Sequence, residues 1–232
     1  MSLCLIPARG GSKRIPRKNI RNFRGQPMIA WSIQAARQSG CFDRVVVSTD
    51  DEEIASISLS FGAEVPFKRP SRLADDYSGT REVVVHAIDA LERDMCAGND
   101  VCCIYATAPF LSAEILKNAK SYLGFSRPDT VVFAATSFPH PIQRSLTLDS
   151  DGYSTAMDSA SMSMRSQDLV EAYHDAGQFY WATKRAWSGV GNMLEGARPL
   201  ILPRWSVHDI DTEEDWHGAE LMHAALFPEL EK

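Results

Sequence analysis

The stretch of sequence that decides the fold reads Ser2-Leu3-Cys4-Leu5-Ile6-Pro7-Ala8-Arg9-Gly10-Gly11-Ser12-Lys13-Arg14. Its first six residues form a short apolar run that ends at a proline, which predicts a buried parallel strand over residues 2–7. The two glycines that follow allow backbone N–H groups to approach an anion closely. The stretch therefore predicts a strand that leads directly into an anion-binding loop.

Basic residues are concentrated in this loop and just beyond it. Six cations fall within the thirteen residues that start at Arg9, and so dense a charge matches a polyphosphate and repels itself without one. They are Arg9, Lys13, Arg14, Arg17, Lys18 and Arg21. Ligands of open α/β sheets bind beyond the carboxyl ends of the strands, so this placement favours a nucleotide triphosphate site over a solvated basic loop. The Walker A and G-x-G-x-x-G patterns are absent, which argues against kinases, GTPases and dehydrogenases.

Strand and helix patterns alternate outward from the loop. Further strands are predicted at residues 44–48, 63–66, 101–106, 130–135, 177–182 and 198–202. Helices are predicted at residues 27–39, 50–61, 80–95, 113–123 with Ser112 as N-cap, near 184–190, and 211–226 with Thr212 as a candidate N-cap. This alternation predicts a doubly wound α/β fold with a mostly parallel sheet.

Residues 138–174 interrupt the alternation. They are rich in Ser, Met and Asp, and Asp151-Gly152 is typical of a hairpin tip. We therefore predict one domain over residues 1–232 with an inserted arm or flap over residues 138–174, which would contact a second copy of the chain.

The composition limits the class of protein. A chain of 232 residues that is 44% hydrophobic and 23% charged is expected to form a globular domain. Its net charge of −6 and pI near 5.5 argue against nucleic-acid binding. Five cysteines without a C-x-x-C pair argue against disulfides or a zinc site, and Cys4, Cys102 and Cys103 lie in apolar runs that favour core positions. The apolar runs are too short for a membrane helix or a signal peptide, so a cytoplasmic protein without a membrane partner is expected.

Asp209 and Asp211 form a candidate metal site near the C-terminus. Carboxylates at i and i+2 of an extended segment point to the same side, and hard oxygen ligands at this spacing suit Mg²⁺. The residues themselves leave an alternative open, in which Asp211 only begins a helix and Asp209 belongs to a turn.

Two further stretches carry candidate ligand-binding groups. Residues 69–76, with Thr80 after them, offer polar groups that could read a base or a ribose. Residues 165–168 and 173–181 interleave polar and aromatic side chains, which is typical of a carbohydrate pocket. A hairpin packed on the core would account for the aromatic residues equally well.

Five segments of the chain resemble one known family and stand in the family's order. They are Ile6-Pro7-Ala8-Arg9-Gly10-Gly11-Ser12-Lys13 with Pro16-x-Lys18-Asn19, Val47-Ser48-Thr49-Asp50, Arg69-Pro70-x-x-Leu73-Ala74, Ala106-Thr107-Ala108-Pro109 and Asp209-Ile210-Asp211-Thr212. The family is that of the acylneuraminate cytidylyltransferases, the CMP-sialic acid synthetases. The resemblance implies a Rossmann-like fold, a homodimer whose arm reaches the partner's site, and Mg²⁺-dependent transfer of CMP from CTP.

The resemblance also implies roles for individual residues. The nucleotide would be bound by Ala8, Arg9, Gly10, Gly11, Ser12, Lys13, Lys18, Asn19, Arg69 and Thr80. At the position of Thr80 the family can also have Ser. Catalysis would depend on Arg9, Lys13, Lys18 and Asp211, and Asp209 and Asp211 would hold the metal ion.

The sugar half of the site departs from the sialic acid enzymes at three places. Tyr105 stands where they have Gln, Gln143 stands where they carry Lys, and residues 174–177 replace an Arg-Pro-Asn-Gly run. These departures resemble the pseudaminic acid cytidylyltransferase branch, so pseudaminic acid is the predicted acceptor, with sialic and legionaminic acid as alternatives. The predicted sugar-binding residues are Tyr105, Gln143, Arg144, Arg165, Gln167, His174 and Tyr180.

The implied reaction is an in-line attack of the anomeric hydroxyl of a nine-carbon 2-keto sugar acid on the α-phosphorus of CTP. Pyrophosphate would leave, Arg9, Lys13 and Lys18 would neutralise its charge, and Mg²⁺ would lower the pKa of the attacking hydroxyl. Arg144 or Arg165 is predicted to meet the sugar carboxylate. Two alternatives stay open, a non-catalytic CTP sensor on the same fold and a sugar nucleotidyltransferase that uses another base.

Overall fold

The chain folds into alternating strands and helices in a computed structural model that describes residues 2–92 and 99–228. The strands of the described residues are β1 (Ser2–Pro7), β2 (Asn22–Phe23), β3 (Gln26–Pro27), β4 (Arg44–Ser48), β5 (Asp100–Ile104), β6 (Val132–Ser137), β7 (Leu146–Leu148), β8 (Ser154–Ala156), β9 (Tyr173–Thr183) and β10 (Arg198–Ile201). The α-helices are α1 (Met28–Ser39), α2 (Glu52–Ser60), α3 (Thr80–Glu92), α4 (Ala113–Gly124), α5 (Lys184–Trp187) and α6 (Glu213–Leu226).

Six strands form the central sheet, in the order β10-β6-β9-β5-β1-β4. Strand β1 lies parallel between β4 and β5, and β10 lies parallel to β6. Strand β9 runs antiparallel between β5 and β6 and so joins the two parallel groups. The predicted α/β fold with a mostly parallel sheet is confirmed, and the antiparallel β9 is an addition that the alternation of elements does not predict.

Both faces of the sheet are buried. Along β1, Cys4 and Ile6 pack into the hydrophobic cluster on one face, whereas Leu3 and Leu5 pack into the cluster on the other. All four side chains are at most 1% exposed, which explains why the strand reads as a continuous apolar run. Burial of each leucine or isoleucine side chain of this kind stabilises the fold by roughly 1.5–3 kcal/mol.

Several strand ends meet at one edge of the sheet. Pro7 at the end of β1 is in register with Ser48 at the end of β4, and β5 ends beside them at Ile104. Because β9 runs the opposite way, its beginning near Asp175 lies at this same edge. The loops that leave this edge occupy the position where open α/β sheets bind their ligands.

Helix ends follow the signals in the sequence. At the start of α4, Ser112 accepts a hydrogen bond from the backbone N–H of Ile115 at 3.2 Å, as predicted. Thr212 and Asp215 form a reciprocal capping box at the start of α6. Gly40 ends α1 in the left-handed conformation, with φ of 63°. These caps satisfy backbone groups that the helices leave unpaired at their ends.

The predicted strand at residues 63–66 is wrong. This segment approaches the edge of β4 only through isolated bridges, which pair Val46 with Glu64 and Thr49 with Lys68. Pro66 stands between the two bridges and has no N–H to donate, so a continuous ladder does not form.

Two predictions extend into residues 93–98, which lie outside the described residues. The helix predicted over residues 80–95 begins at Thr80 as α3 and is described to Glu92, and Cys96 falls beyond it. The predicted core positions of Cys4, Cys102 and Cys103 are confirmed, and Cys41 is buried as well. In the part of the chain that the structure describes, no helix is both long and apolar enough to cross a bilayer.

The segment predicted as an arm leaves the sheet after β6. Strands β7 and β8 form an exposed antiparallel hairpin, and Gly152 in its turn has φ of 86°, as the Asp151-Gly152 tip predicts. Three short 3-10 turns lie in the rest of the segment, at Ile142–Arg144, Ser161–Ser163 and Ser166–Asp168. The segment returns to the sheet at Tyr173, where β9 begins.

Candidate active site

The loop that follows β1 is held against the end of β4. Ala8 is buried, and its N–H donates to the carbonyl oxygen of Ser48 at 2.9 Å. The N–H of Gly10 donates to Asp50 Oδ1 at 3.1 Å. A Cβ on Gly10 would lie 2.7 Å from Asp51 Oδ2, so this position requires glycine because of the close approach of Asp51. A Cβ on Gly11 would have no other atom within 4 Å, so Gly11 is the glycine that can face a ligand.

A cleft of about 610 Å³ opens beside this loop at the carboxyl edge of the sheet. Its walls include nine of the residues singled out from the sequence, namely Arg9, Ser12, Lys13, Arg14, Lys18, Asn19, Arg69, Thr80 and Tyr105. Apolar side chains of Leu73 and Val83 line it as well. A basic and partly apolar cleft of this volume can hold a nucleotide.

Four of the six basic residues face the cleft, and carboxylates from elsewhere in the chain pair with them. Asp76 Oδ1 lies 2.7 Å from Arg9 Nη1, and Asp76 Oδ2 lies 2.6 Å from Lys13 Nζ. Asp211 lies 2.7 Å from the guanidinium of Arg14 and 3.2 Å from Lys18 Nζ. The repulsion expected between the basic residues of the loop is therefore offset by carboxylates of the same chain that are remote in sequence.

The other two basic residues have structural partners. Arg17, which has φ of 56°, donates to Asp51 at 2.5 Å and ties the loop to the start of α2. This contact lowers the pKa of the Asp51 carboxyl. Arg21 pairs with Glu213 at 2.6 Å, and its guanidinium lies 4.5 Å from the ring centroid of Trp216 on α6. Four of the six cations, and not all six as predicted, are therefore placed to bind one anion.

Arg69 is a buried cation in the wall of the cleft. Its side chain is 4% exposed, and it donates to the hydroxyl of Ser48 at 3.1 Å and to the carbonyl oxygen of the same residue. Burial lowers the pKa of Arg69 to about 10. Within residues 2–92 and 99–228 no carboxylate forms an ion pair with it. The charge of Asp50 acts on Arg69 from beyond ion-pair distance, and a desolvated cation in this position favours an acceptor group of a ligand.

Asp209 and Asp211 lie near two loop cations of the cleft, since Asp211 pairs with Arg14 and Lys18, but neither aspartate lines the cleft itself. The residue between them, Ile210, is 1% exposed, so the two carboxylates point away from the core, as their i and i+2 spacing predicts. Burial and the negative charge of Asp211 raise the pKa of Asp209. Among the described residues no group of three or more His, Cys, Asp or Glu could enclose a metal ion. A pair of carboxylates fits Mg²⁺, which is bound by one or two carboxylates together with substrate phosphates.

Three predicted sugar-binding residues lie where β5 and β9 reach the carboxyl edge. Tyr105 lines the cleft, and its hydroxyl lies 2.7 Å from Thr80 Oγ1. Tyr180 is buried behind it and donates to Asp175 Oδ2 at 2.5 Å. The Nδ1 atom of His174 lies 2.9 Å from the carbonyl oxygen of Asp175. Neither His174 nor Tyr180 forms part of the cleft wall.

The four predicted sugar-binding residues of the arm make contacts inside the arm. Gln143 donates to the carbonyl oxygen of Val170 at 2.7 Å, and Arg144 donates to Ser166 Oγ at 3.2 Å and to the Met164 carbonyl oxygen. Arg165 pairs with Asp168 at 2.8 Å, and Gln167 lines a separate cavity of about 330 Å³. The structure does not bring these residues to the cleft of their own chain.

Two carboxylates have roles that the sequence reasoning missed. Asp76 binds Arg9 and Lys13, and its position in the polar stretch 69–76 was the only signal for it. Asp175 accepts from both Tyr180 and the N–H of Gly177 at 2.9 Å. Its only sequence signal was its place among the polar residues of the 173–181 stretch.

The sheet, the basic loop and the paired carboxylates define a nucleotidyltransferase. A family model described as cytidylyltransferase matches residues 3–185, and the chain belongs to that family. The chain is 45% identical to the pseudaminic acid cytidylyltransferase of Campylobacter jejuni, over 96% of each chain. It is 33% identical to the CMP-N,N'-diacetyllegionaminic acid synthase of Legionella pneumophila, over 92% of each.

Solved structures show the same fold. The CMP:2-keto-3-deoxy-manno-octonic acid synthetase, solved in complex with CTP, superposes with a TM-score of 0.71 at 14% sequence identity. The match covers 97% of this chain and 99% of the other. At this level of identity the likeness is one of fold.

Proposed function

We propose that the protein transfers CMP from CTP to the anomeric hydroxyl of a nonulosonic acid, with pseudaminic acid as the acceptor, and releases pyrophosphate. The observation that carries this proposal is the 45% identity with a pseudaminic acid cytidylyltransferase over nearly the full length of both chains. The basic cleft at the carboxyl edge of the sheet supports it, because a triphosphate is the ligand that such a charge distribution favours.

In the proposed complex, the triphosphate takes the place of Asp76 on the loop. Arg9 and Lys13, which now pair with this carboxylate, would bind the β- and γ-phosphates and neutralise the charge that develops on pyrophosphate. Asn19 supports the loop, since its side-chain amide donates to the carbonyl oxygen of Arg9 at 2.9 Å. Asp76 is thus an internal counter-charge that a nucleotide displaces.

Asp209 and Asp211 are the proposed Mg²⁺ ligands. These two carboxylates would hold the ion, which would supply positive charge for the phosphates and a lowered pKa for the attacking hydroxyl. Lys18 holds Asp211 at 3.2 Å and also donates to the carbonyl oxygen of Ile210 at 2.6 Å, so it orients the carboxylate pair relative to the loop. Positioning and charge neutralisation are the main requirements of phosphoryl transfer, and these residues supply both.

Exposed apolar side chains support a homodimer formed through the arm. Leu148 and Tyr153 of the hairpin are 71% and 74% exposed, and Val170 near the end of the arm is 82% exposed. Such residues mark interaction surfaces when they cluster. We propose that the arm contacts a second copy of the chain and carries Arg144, Arg165 and Gln167 toward the partner's cleft. The reaction consumes CTP, and we assign it to the cytoplasm.

The dimer can be tested with the arm alone altered. Leu148→Asp combined with Tyr153→Asp is expected to convert a dimer into a monomer in analytical ultracentrifugation, because two charges would enter an apolar interface. Leu59→Asp serves as a matched control, since Leu59 is an exposed leucine of α2, 57% exposed and distant in sequence from the arm. A parent protein that sediments as a monomer at micromolar concentration contradicts the dimer.

A pyrophosphate-release assay tests the function. With CTP and Mg²⁺, we expect turnover with pseudaminic acid. Turnover with sialic, legionaminic or 3-deoxy-octulosonic acid is expected to be at least about tenfold slower, because one misplaced polar contact changes specificity by that factor. Faster turnover with another acid would show that this acid, and not pseudaminic acid, is the acceptor. Tight CTP binding without pyrophosphate release from any acid would instead establish the sensor alternative. Competition of UTP, ATP and GTP with CTP measures which base the protein prefers.

A further inference from the structure

One loop of the chain places a carboxylate on two cations of the cleft. The loop runs from Leu73, which is 6% exposed, to Thr80, the first residue of α3. Within it, Asp76 lies 2.7 Å from Arg9 Nη1 through one carboxylate oxygen and 2.6 Å from Lys13 Nζ through the other. A single residue therefore occupies both cations that the proposed function assigns to the β- and γ-phosphates.

Hydrogen bonds within the loop fix its shape. Asp75 Oδ1 accepts from the N–H of Tyr77 at 3.0 Å, and from the N–H and the hydroxyl of Ser78 at 2.7 Å each. The carbonyl oxygen of Asp75 accepts in turn from the guanidinium of Arg9. Aspartate side chains commonly close turns in this way. Asp76 is thus held beside its cations at a high effective concentration.

The ion pairs of Asp76 are exposed enough for a ligand to replace them. Its side chain is 35% accessible, and the neighbouring Tyr77 is almost fully exposed. Ion pairs of this exposure contribute little net free energy. Pyrophosphate carries several negative charges and can contact both cations at once, so it binds in place of the carboxylate.

Two anions that need the same cations exclude each other. The hydrogen bond with Lys13 lowers the pKa of Asp76, so the carboxylate is ionised at neutral pH and available to compete. Competition raises the apparent dissociation constant of a ligand by the inverse of the fraction of time that its site is free. The effect applies to a ligand that binds Arg9 and Lys13, and not to one that binds elsewhere in the cleft.

We infer that Asp76 is a product-release residue, which competes with pyrophosphate for Arg9 and Lys13 and so favours its departure after CMP transfer. This inference rests on the proposed function, because it assigns these two cations to the phosphates that leave. The same competition weakens the binding of CTP, since CTP uses the same cations.

Asp76→Asn tests the inference, because it removes the charge and nearly keeps the shape of the side chain. The dissociation constant of inorganic pyrophosphate, measured by calorimetry, is expected to fall by about threefold to tenfold, since two exposed ion pairs no longer compete. CMP lacks the β- and γ-phosphates, and its dissociation constant should stay unchanged. Added salt should reduce the difference between parent and variant, because it screens exposed ion pairs.

Two further variants separate competition from other effects. Asp76→Glu keeps the negative charge and should keep the affinity of the parent for pyrophosphate. Glu82→Gln is the matched control for loss of a charge, since Glu82 is an exposed acid of α3 that does not line the cleft, and it should leave the same affinity unchanged.

Unchanged or weaker binding of pyrophosphate by Asp76→Asn would mean that the carboxylate only orders the cations, and the inference would be wrong. Equal tightening for CMP and pyrophosphate would overturn it as well, because the effect would then be one of general charge. If the parent protein releases no pyrophosphate from CTP with any acid, the proposed function fails. The dissociation constants of pyrophosphate and CMP still decide in that case whether Asp76 competes for the two cations.

Discussion

Asp211→Asn is expected to reduce the rate of pyrophosphate release by on the order of 1,000-fold at saturating CTP, the upper range for loss of one charge-stabilising group. The carboxylate is one of only two proposed metal ligands from the protein, and the neutral amide binds Mg²⁺ poorly. It also organises Arg14 and Lys18, which lie 2.7 Å and 3.2 Å from its oxygens. The measurement is the dependence of the rate on Mg²⁺ concentration for parent and variant.

The fold should survive this substitution. The side chain of Asp211 is 29% accessible, and ion pairs of this exposure contribute little to stability. Glu214→Gln is a matched control, because Glu214 is an exposed acid in the first turn of α6 beyond the carboxylate pair. Parent-like rates of Asp211→Asn at saturating Mg²⁺ would show that the metal assignment is wrong.

Lys13→Ala is expected to lower kcat/KM for CTP by on the order of 100-fold, comparable to the loss of one donor that stabilises charge in the transition state. Among the four cations that line the cleft and pair with a carboxylate, Lys13 is the most exposed, with 80% of its side chain accessible. Its one described ion pair is with Asp76. Exposed pairs of this kind are worth at most about 1 kcal/mol, so the melting temperature should hardly change.

A comparison with another lysine separates the triphosphate role from a general effect of charge. Lys117 is exposed on α4, and Lys117→Ala removes the same charge without altering the cleft. Both variants are to be measured at several salt concentrations, because long-range steering is screened by salt while a direct contact with phosphate is less so. Near-parental turnover of Lys13→Ala would exclude the triphosphate contact.

Local signals in the sequence are sufficient to predict much of the fold. The apolar run of β1 has to be buried on both faces, and the side chains of Ser112 and Thr212 mark helix starts because they satisfy N–H groups that nothing else reaches. The loop glycines and basic residues likewise indicate an anion site at the end of the first strand. These features depend on neighbours within a few residues, which is why one sequence reveals them.

Features that depend on remote partners could not be predicted in the same way. The apolar run within β9 would look the same in a parallel strand, so its antiparallel direction is decided by pairing with both β5 and β6. Arg17 and Lys13 have the same charge and lie in one loop, yet only the positions of Asp51 and Asp76 in space decide which of them faces the cleft. Contacts of the arm with a second copy of the chain stay a proposal, because they would depend on residues of another molecule.

The position of β9 has a consequence for how the chain reaches its folded state. The group β4-β1-β5 and the group β6-β10 have no strand pairing with each other except through β9, which is at least 69 residues further along the chain than its partner β5. Pairing between distant segments makes folding slow and leaves strand edges exposed until it is complete. We therefore expect the edges of β5 and β6 that pair with β9 to stay open during synthesis until residue 183 has left the ribosome, and open strand edges favour aggregation.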